Sequence, residues 1–206
     1  LVIGIISFFF FYRKKKIIIN KSFYIILLCL FVGVFIAKTH DDFPYYHLSN
    51  AIHFTQNKLE LGLGNLNHGF KHHSSIFYLY SIFYLPFIDY YLFNVLNFLF
   101  LFFTSVFLFD FIESDFQKHK FDRNTFIKIV FLILSISIFN RIGAYGTDIT
   151  GQLLSIILIC ISLDTITKKE IKFYDLSIII TLLVYLITIK TYFVLFAILP
   201  ILLFFY

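Results

Sequence analysis

Apolar runs recur down the whole chain with short polar breaks between them, and this alternation limits the fold more than any motif does. A soluble domain of 206 residues would bury one core beneath a charged exterior, but here 60% of residues are hydrophobic and only 14% are charged. The pattern predicts an all-α, polytopic transmembrane helix bundle. After a partial span at 1–12, the runs 23–37, 90–109, 126–140, 152–163, 176–189 and 192–206 read as helices. Each would cross ~30 Å of hydrocarbon at ~1.5 Å per residue, the shorter ones with help from their flanks. Leu1 and Tyr206 both lie inside apolar runs and no Met is present, so 1–206 reads as a single transmembrane domain cut from a longer chain.

The stretch 74–88, SSIFYLYSIFYLPFI, is ambiguous between a span and a helix lying in the interface. Charge bias decides, because Lys and Arg concentrate in cytoplasmic loops. If 74–88 does not cross, twelve of the seventeen basic residues fall on the cytoplasmic side: Arg13, Lys14, Lys15, Lys16, Lys21, Lys118, Lys120, Arg123, Lys128, Lys168, Lys169 and Lys172. If it does cross, every later loop inverts. The first arrangement is therefore expected, with 38–88 forming an external loop that carries amphipathic interfacial helices.

External loops are where function is sought. This one opens KTHDDFPYYH, putting Asp41 and Asp42 just past the outer end of span 23–37. Pro44 disfavours helix at Phe43 and suits the first turn of a helix that follows. Both carboxylates would then sit beside a positive helix end. Leu48, Ala51, Ile52, Thr55 and Leu59 share one face of that helix, with Asn50, His53, Asn57 and Glu60 on the other. Two further polar breaks belong to the same side: NRIGAYGTDITG, with Arg141 and Asp148, and ITIKTYF, where Lys190 interrupts an otherwise nearly uncharged stretch. Ionisable groups near a span are costly enough that function is the starting hypothesis.

Plainer readings stand beside these. Asp41 and Asp42 could be a solvated loop start, Asp148 a helix cap, and Arg141 and Lys190 snorkelling anchors for lipid headgroups. The loop histidines offer only the pair His68 and His72 and no HExxH, a poor metal-ligand pattern. Gly62, Gly64 and Gly69 match no phosphate-binding spacing and serve tight turns. Cys29 and Cys160 lie in apolar runs as fillers. The net charge of +5 does not point to nucleic acid, since the basic residues lie between spans.

The order of these pieces resembles the N-terminal half of the GT-C class of membrane glycosyltransferases, which use polyprenyl-phosphate-sugar donors. The resemblance rests on Asp41 and Asp42 in THDDFPYYH, Asp148 in YGTDITGQLL, and Lys190 in a turn that lacks the Gly and Pro usual to the class. HDDFPYYH and GLGNLNHGF also look like stretches of uncharacterised bacterial membrane proteins, which implies a multi-pass protein of the bacterial cell membrane. The resemblance implies transfer of a sugar from a polyprenyl-phosphate-linked donor to an acceptor, with membrane lipid as a partner. Asp41 or Asp42 would act as the base, Asp41 in preference with Asp42 on the metal or phosphate side, and Lys190 and Arg141 would meet the leaving phosphate. Tyr45, Tyr46 and His47 would shape the pocket, and Asp42 with Asp148 could hold a divalent cation such as Mg or Mn. The alternative is a lipid-linked saccharide transporter or flippase, or a non-catalytic membrane protein.

Overall fold

The structure, a computed structural model, describes residues 21–35, 41–58, 60–119, 121–137, 146–168 and 170–205, and it is all-helical. Helix α1 (Lys21–Phe31) continues as a 3-10 turn, Val32–Phe35. A π-helical turn, Phe43–His47, leads into α2 (Leu48–Gln56), followed by the short α3 (Leu63–Leu66), a 3-10 turn His68–Lys71, and α4 (Ser75–Ile82). Next come α5 (Phe93–Gln117), α6 (Arg123–Ser137), α7 (Thr147–Ile166) and α8 (Phe173–Ile189). A 3-10 segment, Thr191–Ala197, and α9 (Ile198–Phe205) end the described chain.

Two stretches are long and apolar enough to cross a membrane: Tyr90–Gln117, of 28 residues, and Thr147–Ile166, of 20. Both are apolar around their whole circumference, yet only half of each apolar window is buried. Their remaining apolar surface faces outward. Helix α5 runs eight residues past the expected end at 109, because Asp110, Glu113 and Asp115 end the apolar run without breaking backbone hydrogen bonding. The stretch 74–88 holds only the eight residues of α4, too few to cross. Phe83 caps that helix, and Phe87 and Asp89 then adopt positive φ in the turn around Pro86.

Helices α5 and α7 form the centre. Leu30 of α1 packs with Phe98, Leu101 and Phe102 of α5 and with Ile149 and Leu153 of α7. Helix α8 and the terminal 3-10 segment close on the other side of α7 through Leu154, Leu158, Leu183, Leu186 and Phe193. Gly151 makes this close approach possible, since a Cβ there would lie 2.2 Å from the Phe193 ring.

At one end of the bundle a single ammonium joins three helices. Lys128 of α6 is 3% exposed and reaches Asp115 of α5 at 3.0 Å and Asp164 of α7 at 2.9 Å. Thr125 donates a further hydrogen bond to Asp115 at 3.0 Å. Lys128, a loop charge by the sequence pattern, sits inside α6 because two carboxylates repay its desolvation.

Residues 41–58 and 60–92 gather at the opposite end. Tyr46, Ala51, Ile76, Phe77 and Tyr80 pack on Phe93 and Leu96 of α5, and Tyr80 donates a hydrogen bond to Asn97. The apolar faces expected to lie in the interface are thus covered by the protein's own core. Asn50, expected to face outward, is 1% exposed. Its amide donates to the Tyr46 carbonyl at 2.7 Å and the Gly69 carbonyl at 3.3 Å, which makes its burial affordable.

Candidate functional site

The HDDFPYYH segment sets the first wall. Helical winding begins before Pro44 rather than after it, because the turn from Phe43 is wide: the Leu48 N–H donates to the Phe43 carbonyl five residues back. Such a turn accommodates proline near its start, where a missing N–H leaves no bond unmade. Asp42 stands at its head without making a capping hydrogen bond. Asp41 is exposed. The wide turn sends Tyr45 outward, 53% exposed, and draws Tyr46 and His47 in, to 7% and 5%. The His47 ring stacks edge-on against Tyr46 at 4.2 Å, and its Cε1 lies 3.5 Å from where a Cβ on Gly146 would stand.

The second wall comes from α7 and α8. Helix α7 begins at Thr147 with Gly146 as its N-cap, so Asp148 is inside the first turn and does not cap. Its carboxylate accepts a hydrogen bond from the Lys190 ammonium. Lys190 terminates α8 in an extended conformation, and its ammonium also lies 5.6 Å from the Tyr192 ring. The pair is part-exposed, with 51% of the Asp148 side chain and 32% of the Lys190 side chain accessible. It is therefore weak as a stabiliser. Arg141 lies outside the described residues.

Tyr46 links the walls. Its phenol is pushed up to about 12, first by burial and then by the negative charges of Asp42 and Asp148. It stays protonated at neutral pH and can donate a hydrogen bond between them. Asp42, Tyr46, Asp148 and Lys190, spread from position 42 to 190, thus share one electrostatic neighbourhood.

Between the walls lies a cavity of about 160 Å³ lined by Tyr46, Lys71, His72, His73, Ser74, Thr147, Ile189 and Lys190. The glycines of GLGNLNHG set the path of the segment that carries Lys71 and His72. Gly62 takes φ +89°, Gly64 makes room for the Lys71 stem, and Gly69 lets the 68–71 turn approach Tyr45 and Tyr46. Lys71 and Thr147 carried no signal in the sequence and His72 stood out only as a poor metal pair with His68, because nothing local announces that three distant segments meet.

For a divalent ion the donors fit poorly. Among the described residues no group of three or more His, Cys, Asp or Glu is placed to hold a metal. Of the two carboxylates suggested, Asp148 already holds the Lys190 ammonium.

Together these features define a helical protein with an ionic and aromatic cluster at one end of its bundle. The chain belongs to the family described as domain of unknown function DUF8201, whose model matches residues 1–206. No curated protein and no solved structure matches it.

Proposed function

We propose that this chain carries the site of a multi-pass membrane glycosyltransferase. It moves a sugar from a polyprenyl-phosphate donor to an acceptor hydroxyl at the external face. The observation that carries this reading is the convergence of Asp42, Tyr46 and the Asp148–Lys190 pair at the end of the bundle. Exposed Leu61, Leu66 and Phe87 at this end suit contact with the interface beside the apolar outer faces of α5 and α7.

In the proposed reaction the acceptor oxygen attacks the anomeric carbon and its proton passes to the Asp42 carboxylate. The bond from the anomeric carbon to the phosphate oxygen breaks, and the electron pair stays on the phosphate. Lys190 faces that developing charge, and neutral Tyr46 donates a hydrogen bond as it forms. Asp42 is preferred to Asp41 as base because Asp42 acts on buried Tyr46, whereas Asp41 is exposed.

Sugar transfer by the full-length protein tests this. Asp42→Asn should lower the rate by about 10² to 10⁴, as loss of a general base does, while Asp41→Asn stays near wild type. Near-normal transfer by Asp42→Asn would remove the base assignment. A transporter of lipid-linked saccharide is the second reading, favoured by ionic clusters at both ends of α7, at Asp148 and Asp164. Wild type that moves such a lipid across vesicles without transferring sugar selects it.

A further inference from the structure

The cavity at the end of the bundle has a composition that specifies its ligand. Its lining includes two lysines, two histidines and three hydroxyl side chains but no carboxylate. Asp148 stands nearby and pairs with Lys190, so the net positive charge of the lining rests on Lys71. No salt bridge among the described residues engages Lys71. The cavity also adjoins the N-terminus of α7, a 20-residue helix whose first amides have no acceptor within the helix. Thr147 in that first turn is 2% exposed, and its hydroxyl has no hydrogen-bond partner among the described residues. A buried hydroxyl left this way is costly unless a ligand completes it.

Size narrows the choice. With water occupying ~30 Å³ in the liquid, a cavity of about 160 Å³ takes a polar group of a few heavy atoms. Whole small-molecule sites are larger, at roughly 300 Å³ or more, so this one holds the charged end of something longer or a small free anion.

We infer that this cavity is a phosphate-binding site, in which Lys71 and the Thr147 hydroxyl grip the phosphate alongside Lys190 and the N-terminus of α7. The inference deepens the transferase reading and rests on it for one point, that the phosphate is carried by a polyprenyl lipid rather than free in solution. Lys71 binds as a point charge on a stem packed against Gly64, and Thr147 donates a hydrogen bond from a buried position.

Binding to the full-length protein in detergent is measured with three probes: polyprenyl phosphate, polyprenol without phosphate, and inorganic phosphate. Polyprenyl phosphate should bind at least about tenfold tighter than polyprenol, the scale of one charge-assisted hydrogen bond. Lys71→Gln and Thr147→Val should each remove most of that advantage while leaving polyprenol binding and thermal unfolding unchanged. Lys71 is exposed and Thr→Val preserves shape, so neither change should unfold the protein. Inorganic phosphate that binds and is lost in both variants, with no preference between the two lipids, supports the site and assigns it to the free anion. Equal binding of both lipids with no binding of inorganic phosphate overturns the inference, as does unchanged phosphate binding in both variants. Sugar transfer is read on the same samples. Phosphate binding without transfer by wild type defeats the transferase reading and leaves the site, whereas full transfer and binding in both variants defeats the site alone.

Discussion

Gly151 has no room for a side chain, since a Cβ there would lie 2.2 Å from the Phe193 ring, itself 2% exposed. Gly151→Ala should therefore destabilise the protein by about 1 to 3 kcal/mol, the usual cost of overpacking, despite the better helix propensity of alanine. Thermal unfolding in detergent checks this, and the second change Phe193→Leu should recover part of the loss by removing the clashing ring atoms. A Gly151→Ala protein as stable as wild type would mean that α7 and the terminal 3-10 segment do not pack this way. Asn50 carries a second lesson at this scale. A period of three to four assigns it to the polar face, but the carbonyls of Tyr46 and Gly69 come within its reach only after the loop has folded back. An amide's preference for water or interior depends on those partners, and they lie 4 and 19 residues away.

At the level of elements, the bundle is fastened by charge at the end remote from the cavity. Asp164 and Thr147 are separated by the length of α7, roughly 25 Å at ~1.5 Å per residue. Lys128→Met should cost about 3 kcal/mol or more, because it leaves Asp115 and Asp164 near each other without their shared cation. The midpoint of denaturant unfolding measures it, and an unchanged midpoint would show that α5, α6 and α7 are held by apolar packing alone. The start of α8 offers a gentler contrast. Asp175 accepts hydrogen bonds from the Lys168 ammonium at 2.7 Å and from the Lys172 N–H at 3.4 Å. The Lys168 hydrogen bond, chiefly, holds its carboxyl below the ordinary range. A depressed folded value stabilises above the unfolded pKa, and that contribution is lost as pH falls through the folded one. Asp175→Asn should thus cost at most about 0.5 kcal/mol at neutral pH, given that 46% of the Lys168 side chain is exposed. The difference from wild type should start to shrink as pH falls to about 4 and be lost only as pH falls further, through the depressed folded value.

For the whole molecule, the consequential expectation is orientation: the cavity end and the Lys128 end should face opposite sides of a membrane. Asn65 and Gln117 are both exposed and lie near these two ends. With Cys29 and Cys160 changed to Ala, Asn65→Cys should react with an impermeant thiol reagent added outside, and Gln117→Cys should not. Labelling of both from the same side would contradict a bundle whose ends lie on opposite faces. Both candidate crossing helices bear on this, because the outward apolar half of each needs a lipid or protein neighbour.

The sequence alone determined where the helices lie, to within a few residues at most ends, because an α-helix closes its hydrogen bonds within four residues and its apolar run can be read locally. Its largest misjudged boundary, the end of α5, is where charge and helix termination part company, since Asp110, Glu113 and Asp115 continue the helix. Local reading also singled out Asp42, Asp148 and Lys190, as rare charges at the edges of apolar runs. Only the tertiary structure decided that these three share a neighbourhood, that Asp41 is exposed, and that Lys71 and Thr147 line the same cavity. It also decided that α2 and α4 cover α5 instead of lying on their own in the interface. The physical reason is common to all of these. Which faces of helices meet is set by side chains packing across more than a hundred residues of chain, as when Ser75 and Thr188 come within 2.9 Å, and no local period encodes that choice.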